Sequence, residues 1–336
     1  LNNLLGFGAT FFVFFNIAMM LVLMNQDPAL RLFFIPFWLF VFGIPILTIG
    51  ILIIFSTGLF FLVKNIFNKD LSKYKQKIIR KNANLSKYKR DILRKSNHVL
   101  IFICFLIAWY IGLVLANYFT GSSKGMIPED NNMILLYFKI LSTPNSIADI
   151  LFSLGWFYYL LFVIFYILNL FMLANEFTRK SHFISFPFNF FSKVYLSKEE
   201  QENYGTYLYF TIGQMFAAFI CPPMIFLAIL GISSIGDLMT SQIGIRIGKN
   251  HISWNRDKTW EGTLAGTITT FIISFFFIGL FWSLIFCIFF FLFDILTNKP
   301  IKVSDNLLIP IGLSISFIFI RFFFNFNFFS IIVQWV

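Results

Sequence analysis

Charge is scarce along this chain: 12% of its residues are Asp, Glu, Lys or Arg, while 58% are hydrophobic. That balance excludes an ordinary water-soluble domain. Cysteine is rarer still. Cys104, Cys221 and Cys287 each lie alone inside an apolar run, and without Cys-x-x-Cys spacing they offer neither a disulfide framework nor a structural zinc site. They read as packing or lipid-facing residues. His98, His182 and His251 are dispersed and are assigned no metal role. Alternating polar and apolar stretches of about ten residues are also missing, which argues against a membrane β-barrel.

What the sequence has in abundance is apolar runs of the length that crosses a bilayer as a helix, about 20 residues. We read helices near 6–24, 32–63, 99–118, 149–174, 207–220, 223–235, 263–280, 282–295 and 307–325, the second interrupted by Pro45 and Gly50. The expected fold is all-α, a polytopic integral membrane bundle of about nine transmembrane helices with its active site on the cytosolic face. The segment Lys64 to Asn97 holds twelve Lys or Arg against two Asp, so the positive-inside bias puts it in the cytosol. Counting spans from there brings 175–206, 236–262 and 296–306 to the same side, and the mildly acidic 119–133 to the other. The expected organisation is 1–63 as membrane anchor helices, 64–97 as a basic amphipathic cytosolic segment and 98–336 as a catalytic transmembrane domain.

Within the basic segment, LSKYKQKIIRKNAN (71–84) is followed by LSKYKRDILRKSNH (85–98), a 14-residue near-repeat. Leu71, Ile78, Leu85 and Ile92 fall on one helical stripe with basic residues around it. That is the pattern of an amphipathic helix lying on an anionic membrane surface.

The densest polar cluster is SIGDLMTSQIGIRIGKNHISWNRDKTWEGTLAG, residues 234–266. A carboxylate at a helix end near lipid needs a charge partner or a metal, and Asp237 suits magnesium, which takes few protein carboxylates alongside phosphate oxygens. Arg246, Lys249, Arg256 and Lys258 supply positive charge for a polyphosphate. Gly244, Gly248 and Gly262 would let backbone approach it closely. Glu261, near the start of the next helix, can coordinate metal or accept a proton. By pattern alone this is a signal for a nucleotide or phosphate site at the membrane surface; the plainer reading is a loop whose charges satisfy the positive-inside bias.

GDLMTSQIGIRIGK followed by KTWEGTLAG resembles the signature of the CTP-dependent polyprenol kinase family, which includes dolichol kinase, phytol kinase and CTP-dependent diacylglycerol kinase. RKSNH (94–98) is similar to that family's RKxxH element. EFTR (176–179) with EEQENYGTYLYFTIG (199–213) resembles its Glu…Arg and Gly-Thr-x-x-Tyr-Phe segment, and SDNLLIP (304–310) its DNLxxP element. The resemblance covers residues 94 to about 312 and extends to phosphatidate cytidylyltransferase.

The resemblance implies transfer of the terminal phosphate of CTP to the hydroxyl of a polyprenol-type lipid alcohol, with Mg²⁺ or another divalent cation. It implies metal ligation by Asp237 and Asp305, and nucleotide contacts from Arg94, Lys95, Gly244, Gly248, Lys249, Lys258 and Asn306. Asp237, Lys258, Glu261 and Asp305 would be catalytic, with Glu261 as first choice for proton acceptor and His98 as second. Glu176, Arg179, Asp294 and His98 would contact substrate or support the site. Plainer roles stand beside these: Asp305 and Asn306 also suit a helix cap, His98 an interfacial packing position, and Glu176 with Arg179 a structural ion pair. The partners implied are CTP, a lipid alcohol and membrane lipid, without nucleic acid; a homodimer is allowed. The membrane would be the endoplasmic reticulum in a eukaryote or the plasma membrane in a prokaryote. The main alternative is a cytidylyltransferase making a CDP-lipid, which Lys258 to Gly262 fits equally, although SDNLLIP replaces that enzyme's C-terminal signature. A non-catalytic scaffold or transporter is the other.

Overall fold

In a computed structural model of the chain, the described residues are 1–26, 35, 38–65, 86–121, 156–180, 204–297, 299–324, 326 and 330–334. They are mainly helical: α1 (Asn2–Gln26), a π-helical turn (Leu39–Gly43) leading into α2 (Ile44–Asn65), α3 (Lys87–Thr120), α4 (Trp156–Lys180), α5 (Thr206–Ile220), α6 (Pro223–Gly231), α7 (Asp237–Arg246), α8 (Trp260–Leu296), α9 (Asp305–Phe324) and α10 (Ile331–Gln334). Among the described residues, five helices are long and apolar enough to cross a membrane: Asn2–Met19, Asp91–Phe119, Pro223–Arg246, Trp260–Leu296 and Asp305–Phe324. The protein is a membrane-embedded helical bundle.

The longest of these reverses direction. Gly279 has φ 79° and ψ 176°, a backbone region essentially reserved for glycine, and the chain folds back there. Cys287 Sγ donates to the Thr267 carbonyl at 3.3 Å, and Thr263 Oγ1 to Asp294 Oδ2 at 2.6 Å. Residues 260–278 and 280–296 are therefore two antiparallel arms, matching the separate runs read at 263–280 and 282–295. Each arm sorts its side chains as lipid demands. In the first, Gly262, Gly266, Thr270 and Ser274 are buried while Leu264, Ile268 and Ile272 face outward. Small residues inside let backbones approach closely, and large apolar ones meet the acyl chains.

Two sequence boundaries need correction. Asp237 does not begin a loop: α6, a π-helical turn (Ile232–Gly236) and α7 form one rod from Pro223 to Arg246. Polar residues mark where the rod leaves lipid, not where the helix stops. Nor does a structural break fall at 97/98, because α3 starts at Lys87, capped by the Ser86 hydroxyl that accepts from Lys89 N, and runs unbroken to Thr120. The second repeat copy is thus the first turns of a transmembrane helix, while the first copy lies outside the described residues. The all-α expectation also misses one small element. β1 (His251–Ile252) and β2 (Asn255–Thr259) form an antiparallel hairpin between α7 and α8. Buried Asn255 fastens this hairpin to the end of the second arm through Nδ2, which donates to the Thr297 carbonyl at 2.6 Å.

The helix ends that carry polar segments meet at one end of the bundle. Lys95 joins α3 to α7, Lys258 joins the hairpin to α8 and α9, and Glu176 joins α4 to the start of α5. The first turn of α1 belongs to the same end: Asn2 Oδ1 accepts from Ser304 N at 2.6 Å, and Asn3 Oδ1 from Tyr209 at 2.7 Å.

Candidate functional site

Five charged side chains from five elements converge at that end. Lys95, in the third turn of α3, places Nζ 2.8 Å from Asp237 Oδ2 and 2.9 Å from the Asp237 carbonyl. The π-helical turn just before Asp237 disturbs the regular backbone ladder here, and the lysine grips both main chain and side chain at that point. Lys258, the fourth residue of β2, lies 2.6 Å from Asp294 Oδ1 and 3.4 Å from Asp305 Oδ2. Asp294 is fully buried and receives the Thr263 hydroxyl on its other oxygen. Asp237 lies within electrostatic reach of Lys258 and Asp305, so the two ion pairs form one cluster. Burial by itself would push the Lys258 ammonium toward deprotonation, but Asp294, Asp305 and Asp237 outweigh it and hold its pKa above the usual lysine range. Lys258 is a fixed cation and not a base.

The buried oxygens at this end that have no hydrogen-bond partner among the described residues include Asp237 Oδ1 and Asn306 Oδ1. An unsatisfied buried acceptor costs about 1–3 kcal/mol, and more when charged. Among the described residues no group of three or more His, Cys, Asp or Glu side chains is placed to hold a metal ion. The oxygens present suit a hard cation that takes few protein ligands and completes its shell with phosphate oxygens. Asp305 Oδ1 also accepts from Asn306 N at 2.9 Å within the first turn of α9, while its Oδ2 faces Lys258.

The remaining expected site residues are placed as follows. His98 is buried, one turn beyond Lys95 on the same face of α3, with its ring parallel to Phe210 at 3.9 Å. Glu176 is buried and accepts from Gly205 N at 3.1 Å and from the Tyr207 hydroxyl, fastening α4 to α5. Arg94 lies on α3 and Arg179 on α4; their side chains lie outside what the structure describes. Glu261 accepts from Asn250 N at 3.2 Å and Asn250 Nδ2 at 2.7 Å, bracing the hairpin. Lys249 and Arg256 stand exposed, and Arg246 lies over the Tyr88 ring at 4.0 Å.

The glycines of this segment sit in close packing contacts. A Cβ on Gly244, Gly248 or Gly262 would meet Thr259 Oγ1 at 3.0, 2.5 and 3.0 Å. Thr259 is the N-cap of α8, accepting from Gly262 N at 3.2 Å. These glycines let α7 and its exit turn press against that cap, which fixes Lys258 next to it.

Sequence reasoning missed Thr263 and Asp91. Asp91 accepts from Ser241 and, at 2.9 Å, from Gln242 Nε2, pinning the start of α3 to α7. A signal for it existed. Aligning the two repeat copies puts Asp91 opposite Lys77 and His98 opposite Asn84, so the described copy departs from its neighbour at two residues that meet the site.

No protein-family model, curated protein or solved structure matches the chain.

Proposed function

We propose that this protein is a lipid kinase that transfers the terminal phosphate of CTP to the hydroxyl of a polyprenol-type lipid alcohol. One observation carries the reading: Lys95, Asp237, Lys258, Asp294 and Asp305 meet at a single end of a membrane-embedded bundle. The order of the KTWEGT, RKSNH and SDNLLIP elements supports it further. Phosphoryl transfer asks for positioned charge more than for covalent help, and this cluster is positioned charge.

On this reading Asp237, Asp305 and Asn306 would hold a divalent cation, which would supply positive charge to neutralise the phosphates. Lys258 and Lys95 contribute fixed positive charge toward the triphosphate. Asp294 and Thr263 keep the Lys258 ammonium in place. The lipid oxygen forms a bond to the terminal phosphorus as the bridging oxygen departs with CDP, and the hydroxyl proton needs an acceptor. His98 takes that role, because it shares the Lys95 face of α3 while Glu261 is committed to Asn250. The charged end lies in the cytosol, where CTP is available.

The test is product analysis with purified protein, CTP and a panel of lipid alcohols and lipid phosphates. Release of CDP with a phosphorylated alcohol is expected, abolished in Asp237→Asn. Release of pyrophosphate with a lipid phosphate would instead assign cytidylyl transfer, and no turnover with either would remove the enzyme reading.

A further inference from the structure

Hydroxyl-bearing residues in the helices of this bundle mostly satisfy themselves. Thr240, Ser274, Ser283, Ser314 and Ser316 all donate to a carbonyl one turn back in their own helix, the usual solution away from water. Ser233 and Ser234 do not. Both are buried in the π-helical turn directly before Asp237, and neither hydroxyl has a partner among the described residues. Gln214 on α5 is fully buried, and its amide oxygen and nitrogen are both without partners there.

Their placement follows from the packing of α5 and of the π-helical turn. On α5, Thr211 and Met215 are engaged by Asn169 of α4, Ile212 faces α1 at Gly6, and Gly213 lies against the Asn306 carbonyl and Pro310 of α9. Helical geometry leaves Gln214 the remaining quadrant, which Phe210 shares one turn earlier, where it stacks on His98 of α3. The π-helical turn packs against α3, α8 and α9. Gln214, Ser233 and Ser234 therefore lie below Lys95, His98, Asp237 and Asn306, toward the middle of the bundle.

We infer that Gln214, Ser233 and Ser234 line a hydrated recess beneath the charged cluster that seats the hydroxyl end of the lipid acceptor. This rests on the kinase reading for the identity of the acceptor. The lining is an amide and two hydroxyls, without formal charge. Such groups both donate and accept, which matches an alcohol oxygen that must do the same. A lipid phosphate would bring buried negative charge with nothing in the lining to offset it. The recess places the acceptor below His98 and Asp237 while the nucleotide approaches from the aqueous side.

Two measurements test this. In a background with Cys104, Cys221 and Cys287 replaced by Ala, Ser234→Cys is labelled with a small water-soluble thiosulfonate, with Ser283→Cys as buried control. Labelling of Ser234→Cys well above the control is expected, slowed several-fold by geranylgeraniol and left unchanged by geranylgeranyl phosphate. Second, Gln214→Leu should raise the KM for geranylgeraniol by about tenfold or more, as expected when a group built to hydrogen-bond an alcohol is lost, with the KM for CTP unchanged; Gln214→Asn should recover part of the effect. A Ser234→Cys as inert as the control, or protection by the phosphate and not the alcohol, overturns the recess. Protection by geranylgeraniol without any CDP release keeps the recess and removes the kinase reading. CDP release with inert Ser234→Cys and wild-type KM in Gln214→Leu does the reverse.

Discussion

At the scale of single residues, Lys258 holds the largest share of the charge balance. Replacing it with Met leaves the buried Asp294 carboxylate, and the half-buried Asp305 beside it, uncompensated, and breaking a buried pair such as Lys258–Asp294 costs about 3–5 kcal/mol. Lys258→Met is therefore expected to lose turnover and to unfold at a markedly lower temperature, read by a melting curve in detergent. The pH dependence has a definite sign. Because the folded state raises the Lys258 pKa, its stabilisation is complete below the unfolded lysine value of 10.5 and fades as pH rises past it. The difference in melting temperature between wild type and Lys258→Met should stay constant through neutral pH and shrink only in strongly alkaline buffer. The proton acceptor is a separate matter. His98→Gln should lower kcat by about 10²–10⁴-fold with little change in the KM for CTP, whereas Glu261→Gln, which loosens the Asn250 brace, should keep most of kcat. Rate measurements on the two variants giving the opposite order would return the role to Glu261.

Helices and turns set the tolerance of the site to packing changes. A Cβ on Gly266 would collide with Thr240 Oγ1 and press on the Phe290 ring, so Gly266→Ala must push α7 away from the first arm of α8. Overpacking of this kind costs about 1–3 kcal/mol. Gly279→Ala forces a side chain into a glycine-only conformation at the hairpin bend, at a comparable cost of about 1–3 kcal/mol. Thermal unfolding should register both, with Gly266→Ala also losing activity because α7 carries Asp237. The paired arms of α8 were legible as two apolar runs, and the helix start near Glu261 was legible from the polar-to-apolar switch there. The extension of the 223–246 rod was not. Asp237, Thr240, Ser241 and Gln242 look like loop composition, yet helices continue readily into water once their hydrogen bonds are internal. One helix also runs through 97/98, since a change from basic to apolar residues records a change of solvent and not of backbone. Gln214 and the two serines are single polar residues inside apolar runs, and only the fate of their hydrogen bonds distinguishes them from others.

For the molecule as a whole, the meeting of RKSNH, KTWEGT and SDNLLIP was foreseeable from charge bias and span counting, because loops on one side of a membrane share one surface. Which oxygen faces which nitrogen was not, since that depends on helix rotation. Sidedness can be tested directly: cysteines at exposed Ser86, Asn250 and Lys299 should all react with an impermeant reagent from the cytosolic side and none from the other, in sealed vesicles. Labelling of these three from different compartments would break the shared-face arrangement. The reversal at Gly279 also bears on biosynthesis. Thr263 and Asp294 are only 31 residues apart, so their contact can form soon after both arms leave the ribosome, while the Lys95 grip on Asp237 spans 142 residues and waits for the far earlier helix to be retained nearby. A chaperone or insertase that released that earlier helix too soon would leave a half-built centre, assembled on its late-translated side and open on the other.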